Sequence, residues 1–161
     1  MTRLIIVNGP PGVGKSTVCR QLYQRLDGAV WLDGDWCWLM HPWDYSAQNK
    51  AMVLENISFL LRNYLKSGSF RYIILSWVIP DEAIFRQILD RLGEADYYLF
   101  RLTLICSEAA LRARMQQDGR EESVIERSAA LLPRYRAMST RQIDKTSPNE
   151  TVERILAILD E

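Results

Sequence analysis

The sequence predicts an α/β fold in three layers, a five-stranded parallel sheet with helices on both faces. Short apolar runs alternate along the chain with longer stretches whose apolar residues recur at helical spacing. Several runs are apolar at four or more consecutive positions, the pattern of a strand buried on both faces. At the start, such a run passes through a glycine-rich turn straight into a helical pattern, the opening of a βα unit.

Taken in order, Leu4 to Val7 is the first strand. A helix from about Lys15 to Leu26 follows, with Val18, Leu22 and Leu26 on its inner face and Asp27-Gly28 ending it. Ala29 to Leu32 is a short second strand that leads into Asp33-Gly34-Asp35 and a loop rich in large side chains, from Trp36 to Tyr45. A long amphipathic helix spans about Ala47 to Lys66, with Val53, Ile57, Leu61 and Leu65 four apart, and Ser67-Gly68-Ser69 closes it. Tyr72 to Val78 is the third strand, stopped by Pro80 before a helix over Asp81 to Leu92. The fourth strand covers Tyr97 to Cys106, and Ser107 caps a helix that runs to Gln117 and breaks at Asp118-Gly119. A helix over Ser123 to Met138, a fifth strand over Thr140 to Ile143 and a last helix opened by Pro148 complete the chain. Residues 1–161 read as one domain with no repeat and no linker.

Residues Gly9 to Ser16 fit G-x-x-x-x-G-K-[ST], between a strand and a helix, as a phosphate-binding loop requires. The segment Gly9, Pro10, Pro11, Gly12, Val13, Gly14, Lys15, Ser16, Thr17 is therefore expected to hold nucleotide phosphates. Its glycines let successive N–H groups turn inward, Lys15 reaches the β- and γ-phosphates, and the Ser16 hydroxyl holds Mg²⁺. The helix that follows aims its free N–H groups at the same anion.

Asp33 and Asp35 stand one residue apart just past the second strand, at the sheet edge where ligands of such folds bind. One can hold the metal while the other takes a proton from an attacking hydroxyl; the expected assignment is Asp33 to Mg²⁺ and Asp35 as base. An Asp-Gly turn is the plainer alternative.

Bulk properties narrow the function. Lys+Arg and Asp+Glu number 20 each, so no net field draws the chain to nucleic acid or an anionic membrane. No apolar run approaches a membrane span, and Met-Thr-Arg runs directly into the first strand, so a cytoplasmic location is expected. Cys19, Cys37 and Cys106 match neither a zinc nor a disulfide spacing and read as reduced thiols. The single histidine, His41, disfavours His-rich metal sites and a Ser-His-Asp hydrolase.

Gly-Pro-Pro-Gly-Val-Gly-Lys-Ser-Thr, then Leu-Asp-Gly-Asp, then a late arginine-rich pair of helices resembles the P-loop small-molecule and nucleotide kinases. That group includes adenylate, shikimate, gluconate and adenylylsulfate kinases and chloramphenicol phosphotransferase. The resemblance implies a P-loop NTPase fold with a helical lid over about 107–138, ATP and Mg²⁺ as cofactors, and an acceptor that is a small molecule or nucleotide. It also implies roles for lid arginines: Arg114 against adenine, Arg120 and Arg127 at the phosphates, with Arg120 counted as catalytic. Asp144 to Pro148 resembles the loop that holds the adenine base. The alternative for the lid region is a solvated helix pair laced by ion pairs of Arg120 or Arg127 with Glu121 to Glu126.

Two departures stand out. No strand is expected to end in the acidic residue of a Walker B motif, which argues against an AAA-type ATPase. The third strand ends in Ser76-Trp77 with no substrate-binding arginine or Gly-Gly, which argues against shikimate and gluconate as acceptors. Trp36, Trp38 and Trp43 either face the acceptor or form a small hydrophobic core under their own loop. A nucleotide-dependent switch or accessory ATPase, and a polynucleotide kinase, are the rival functions. The acceptor itself is a matter of pocket shape, which motifs do not encode.

Overall fold

The computed structural model describes residues Met1 to Glu161. Its elements are β1 (Thr2–Asn8), α1 (Lys15–Arg25), β2 (Ala29–Asp33), α2 (Ala47–Ser67), β3 (Tyr72–Trp77), α3 (Glu82–Leu92), β4 (Tyr97–Ile105), α4 (Glu108–Gln117), α5 (Glu122–Arg136), β5 (Arg141–Asp144) and α6 (Pro148–Leu159). A 3-10 turn, Gly34–Trp38, separates β2 from α2. All five strands are parallel, in the order β2-β3-β1-β4-β5. The expected three-layer α/β architecture is therefore the observed one.

Central position explains the composition of β1. Ile5 and Val7 pack with Val18 and Leu22 of α1 and Val152 and Ile155 of α6, whereas Leu4 and Ile6 pack with Val53 and Ile57 of α2 and Phe85 of α3. Because successive side chains point to opposite faces, a strand covered on both sides must be apolar throughout. Each fully buried Leu or Ile contributes about 1.5–3 kcal/mol.

Helix starts follow local capping chemistry. Ser46, Asp81, Ser107 and Ser147 each accept a hydrogen bond from a first-turn N–H of the helix they precede. α1 is different, since its cap is Gly14 in the left-handed region with no side-chain bond. Its first amides are left for another acceptor.

Boundaries shifted where pairing overrode local pattern. β2 runs one residue further than expected, through Asp33, because Asp33 pairs in register with Ser76 of β3. Two strands end in an aspartate, β2 in Asp33 and β5 in Asp144, whereas β3, which pairs with the phosphate-loop strand β1, ends in Trp77. α5 spans Glu122–Arg136 rather than Ser123 to Met138, and β5 starts at Arg141. No helix is long and apolar enough to cross a membrane.

Candidate active site

The phosphate loop joins β1 to α1 at the carboxyl edge of the sheet. Gly14 has φ 101°, a left-handed conformation that favours glycine, and a Cβ there would push aside Arg114, whose Nη1 lies 2.6 Å from that position. Lys15 Nζ donates to the carbonyls of Gly9 and Pro10, at 2.9 Å each, and so lies folded along the loop. Burial pulls its pKa down to about 8, against the opposing charges of Asp35 and Asp33.

Asp33 is buried and does two jobs. One carboxylate oxygen accepts from Ser16 Oγ at 2.6 Å, and the other accepts from the Asp35 backbone N–H at 3.0 Å. The second bond turns the chain, and the turn carries Asp35 to the cleft. The Asp35 carboxyl has a raised pKa, through burial first and the nearby Asp33 charge second, with Lys15 and Arg120 pulling the other way. The Asp-Gly turn offered as the plainer alternative is present, and it leaves Asp35 at the lining of the cleft.

Between these aspartates, Gly34 passes directly beneath the indole of Trp77; a Cβ on Gly34 would collide with Trp77 Cγ and Cδ1. Gly34→Ala is expected to displace Trp77 and to lower stability by about 1–3 kcal/mol, read as a drop in the urea midpoint with unchanged slope.

The expected lid is unequal in its contacts. Arg114 Nη1 donates to the Val13 carbonyl of the phosphate loop at 3.2 Å. Arg120 is close enough for its charge to act on both Lys15 and Asp35. Arg127 is exposed on α5, next to Ser128, and has no hydrogen bond or ion pair to another side chain. The ion-pair lacing expected of Arg120 or Arg127 is formed instead by Arg112, with Glu108 at 2.8 Å and Glu126 at 2.7 Å. Arg112 stands one turn before Met115 on the outer face of α4, where the glutamates of α5 can reach it.

Beside the loop opens a cleft of about 770 Å³, lined by 16 residues of which 11 are hydrophobic. Pro11 and Asp35 form its inner side, and Trp38, Trp43, Trp77 and Tyr135 are among its walls. The tryptophan loop is therefore divided. Trp38, Trp43 and Tyr45 form one aromatic group at the cleft, while Trp36 packs on Trp31 at 4.9 Å, away from it.

Three residues, Asn8, Ser128 and Tyr135, escaped the reading of the sequence, and Lys145 was named only as part of the segment Asp144 to Pro148. Asn8, fully buried, accepts from the Ile79 N–H at 2.7 Å and donates to its carbonyl at 2.9 Å, fixing the cleft wall after β3. Ser128 of α5 donates to the Pro11 carbonyl at 2.6 Å. Lys145 is buried beside Arg114 near Gly14, and Tyr135 is fully buried at the cleft. The loop motif includes Asn8 as a bordering position but gives no sign of its partner, and a serine or tyrosine within a helical run carries no signal of its own.

Residues 5–138 match the family described as AAA domain. The chain belongs to the AAA domain family. None of the curated proteins matches it in sequence. Among solved structures, this AAA domain is similar to the tunicamycin resistance protein of Deinococcus radiodurans, at 21% identity and a TM-score of 0.76, covering 99% of this chain and 96% of the other. A gluconokinase from Sinorhizobium meliloti matches at 19% identity and a TM-score of 0.73, covering 99% and 91%. A sugar kinase from a Janibacter species gives 20% and 0.67, covering 99% and 95%. The shared fold is that of P-loop kinases, as the resemblance implied, and family membership overrides the argument against an AAA type.

The residues of this AAA domain fit a magnesium nucleotide. Uncapped amides of α1, an ammonium held on the loop and a hydroxyl bonded to a buried carboxylate are the donors and ligands such a group takes. Few protein oxygens are needed, because Mg²⁺ keeps waters and phosphate oxygens in its shell.

Proposed function

We propose that the protein is an ATP- and Mg²⁺-dependent phosphotransferase, a cytoplasmic kinase formed by residues 1–161 as one domain, acting on the hydroxyl of a small molecule. One observation carries the reading: Asp35 and the phosphate-loop residue Pro11 line the same cleft. A carboxylate with a raised pKa thus stands between a phosphate cradle and a pocket large enough for an acceptor.

In this mechanism the loop amides and Lys15 bind the phosphates, and Ser16 and Asp33 hold Mg²⁺, which supplies charge neutralisation of the phosphate oxygens. Asp35 orients the acceptor hydroxyl and takes its proton as that oxygen bonds to the γ-phosphorus and the bond to the ADP oxygen breaks. Arg120 stabilises the equatorial oxygens of the group in transit. Arg114 with Lys145 borders the nucleotide on the side of α4, and Arg127 of α5 joins them at the phosphates. Helices α4 and α5 act as the lid that excludes water.

The direct test is ADP release from Mg-ATP with and without hydroxylated acceptors. Acceptor-dependent release with one phosphorylated product per ADP is expected. Hydrolysis indifferent to every acceptor would instead establish the accessory-ATPase alternative.

Proton linkage offers a separate check. Lys15, at about 8, is partly deprotonated near pH 8 when free, and a bound triphosphate restores its charge. Nucleotide binding at pH 8 should take up about half a proton, and affinity should fall as pH rises above 8. Calorimetry in buffers of differing ionisation enthalpy reads both. The folding linkage has its own sign: with the folded pKa below the unfolded one, this lysine's contribution to stability rises with pH from about 8 towards 10.5.

A further inference from the structure

We propose that the cleft beside Asp35 selects an uncharged, mainly apolar alcohol, and that the Tyr135 hydroxyl recognises a second polar atom of that molecule. The inference rests on the phosphotransferase reading for the role of the cleft, but its substance is the chemistry of the walls.

Charge in the cleft is sparse. Asp35 and Lys50 are the charged residues among its lining, and no arginine or histidine is present. Lys50, whose ammonium sits 4.0 Å from the centroid of the Tyr45 ring, is the single cation of the lining and a point charge rather than a bidentate fork. A sugar acid or a nucleoside monophosphate needs a cation fork for its carboxylate or phosphate, and Asp35 would repel either. A polyol needs many hydrogen-bonding groups, whereas 11 of the 16 lining residues are hydrophobic. The stacked pair Trp43 and Tyr45, with ring planes 10° apart, and the neighbouring Trp38 offer flat apolar faces. A volume near 770 Å³ suits a molecule of drug size.

Tyr135 supplies the specific polar contact. Its residue is fully buried, its ring belongs to the cleft wall, and its hydroxyl is enclosed with no hydrogen-bond partner. A buried hydroxyl without a partner is destabilising, and a phenylalanine would fill the same space without that cost. Burial raises the phenol's pKa, so it remains a neutral donor at working pH. Because the hydroxyl is enclosed, the contact forms as α5 adjusts around an occupant. Two polar points, Asp35 and Tyr135, then orient a molecule held otherwise by apolar contact.

Three probes of one size separate the features: 3-phenoxypropane-1,2-diol, 3-phenoxypropan-1-ol and 3-phenoxypropanoic acid. Each is titrated into wild-type protein and into Tyr135→Phe, following the fluorescence of the cleft tryptophans, with gluconate and AMP as charged controls. The wild type should bind the diol best, the mono-alcohol next, and the three anions more weakly than either alcohol. Tyr135→Phe should weaken the diol about fivefold to tenfold, to the level of the mono-alcohol, and leave the mono-alcohol unchanged. Tight binding of any anion to wild type whose phosphate loop is already filled by Mg-ADP overturns the proposal, and so does a variant that weakens both alcohols equally or neither. A diol that binds in the expected pattern yet is never phosphorylated sinks the kinase reading and keeps the ligand class. Phosphorylation of gluconate or AMP does the reverse.

Discussion

Lys15→Met should lower acceptor-dependent phosphoryl transfer by about two to three orders of magnitude, the usual cost of removing one fixed charge from a developing phosphoryl anion. Lys15 stands out in the structure because its ammonium is already stationed on the carbonyls of Gly9 and Pro10. Little reorganisation is needed when a phosphate arrives, so the loss should fall on kcat and on nucleotide affinity together. Methionine keeps the length of the side chain and removes its charge. Proton uptake on binding near pH 8 should vanish in the same variant, which ties the kinetic loss to this ammonium. Transfer that survived in Lys15→Met would place the phosphate elsewhere.

Asp35→Asn should lower kcat by about two to three orders of magnitude while nucleotide affinity stays within about threefold. Asparagine preserves shape and cannot take a proton. In the wild type, activity should rise with pH as Asp35 loses its proton, at a higher pH than an unperturbed aspartate would. The variant should lack that limb. The stability sign is opposite to the kinetic one: a folded-state pKa above the unfolded value means the ionised carboxyl disfavours the fold, so Asp35→Asn should melt no lower than wild type. Asp33→Asn is the contrasting control. It disturbs both the Ser16 hydroxyl and the turn that delivers Asp35, and should cost nucleotide affinity and melting temperature alike.

Much of this was legible in the chain because the signals are local. Four apolar residues from Leu4 to Val7 declared a central strand, glycines and Lys15 declared a phosphate loop, and Ser107 and Pro148 marked helix starts that the structure keeps. What the sequence hid depends on residues far apart meeting. Asn8 bonds Ile79, Ser128 bonds Pro11, and the end of β2 was settled by Ser76. Arg112 drew the glutamates that composition alone assigned to Arg120 or Arg127. The tryptophan loop divided because Trp31, on β2, offered Trp36 a ring to pack against.

Helix α5 touches the phosphate loop through Ser128 and forms part of the acceptor cleft through Leu131 and Tyr135, one and two turns further on. Any shift of this rod that improves its fit to one occupant must alter the surroundings of the other. Thermodynamic reciprocity then requires that whatever factor ATP adds to acceptor affinity, the acceptor returns to ATP. Titrating each in the presence and absence of its companion should give two equal factors, and a factor different from one is the mark of the shared helix.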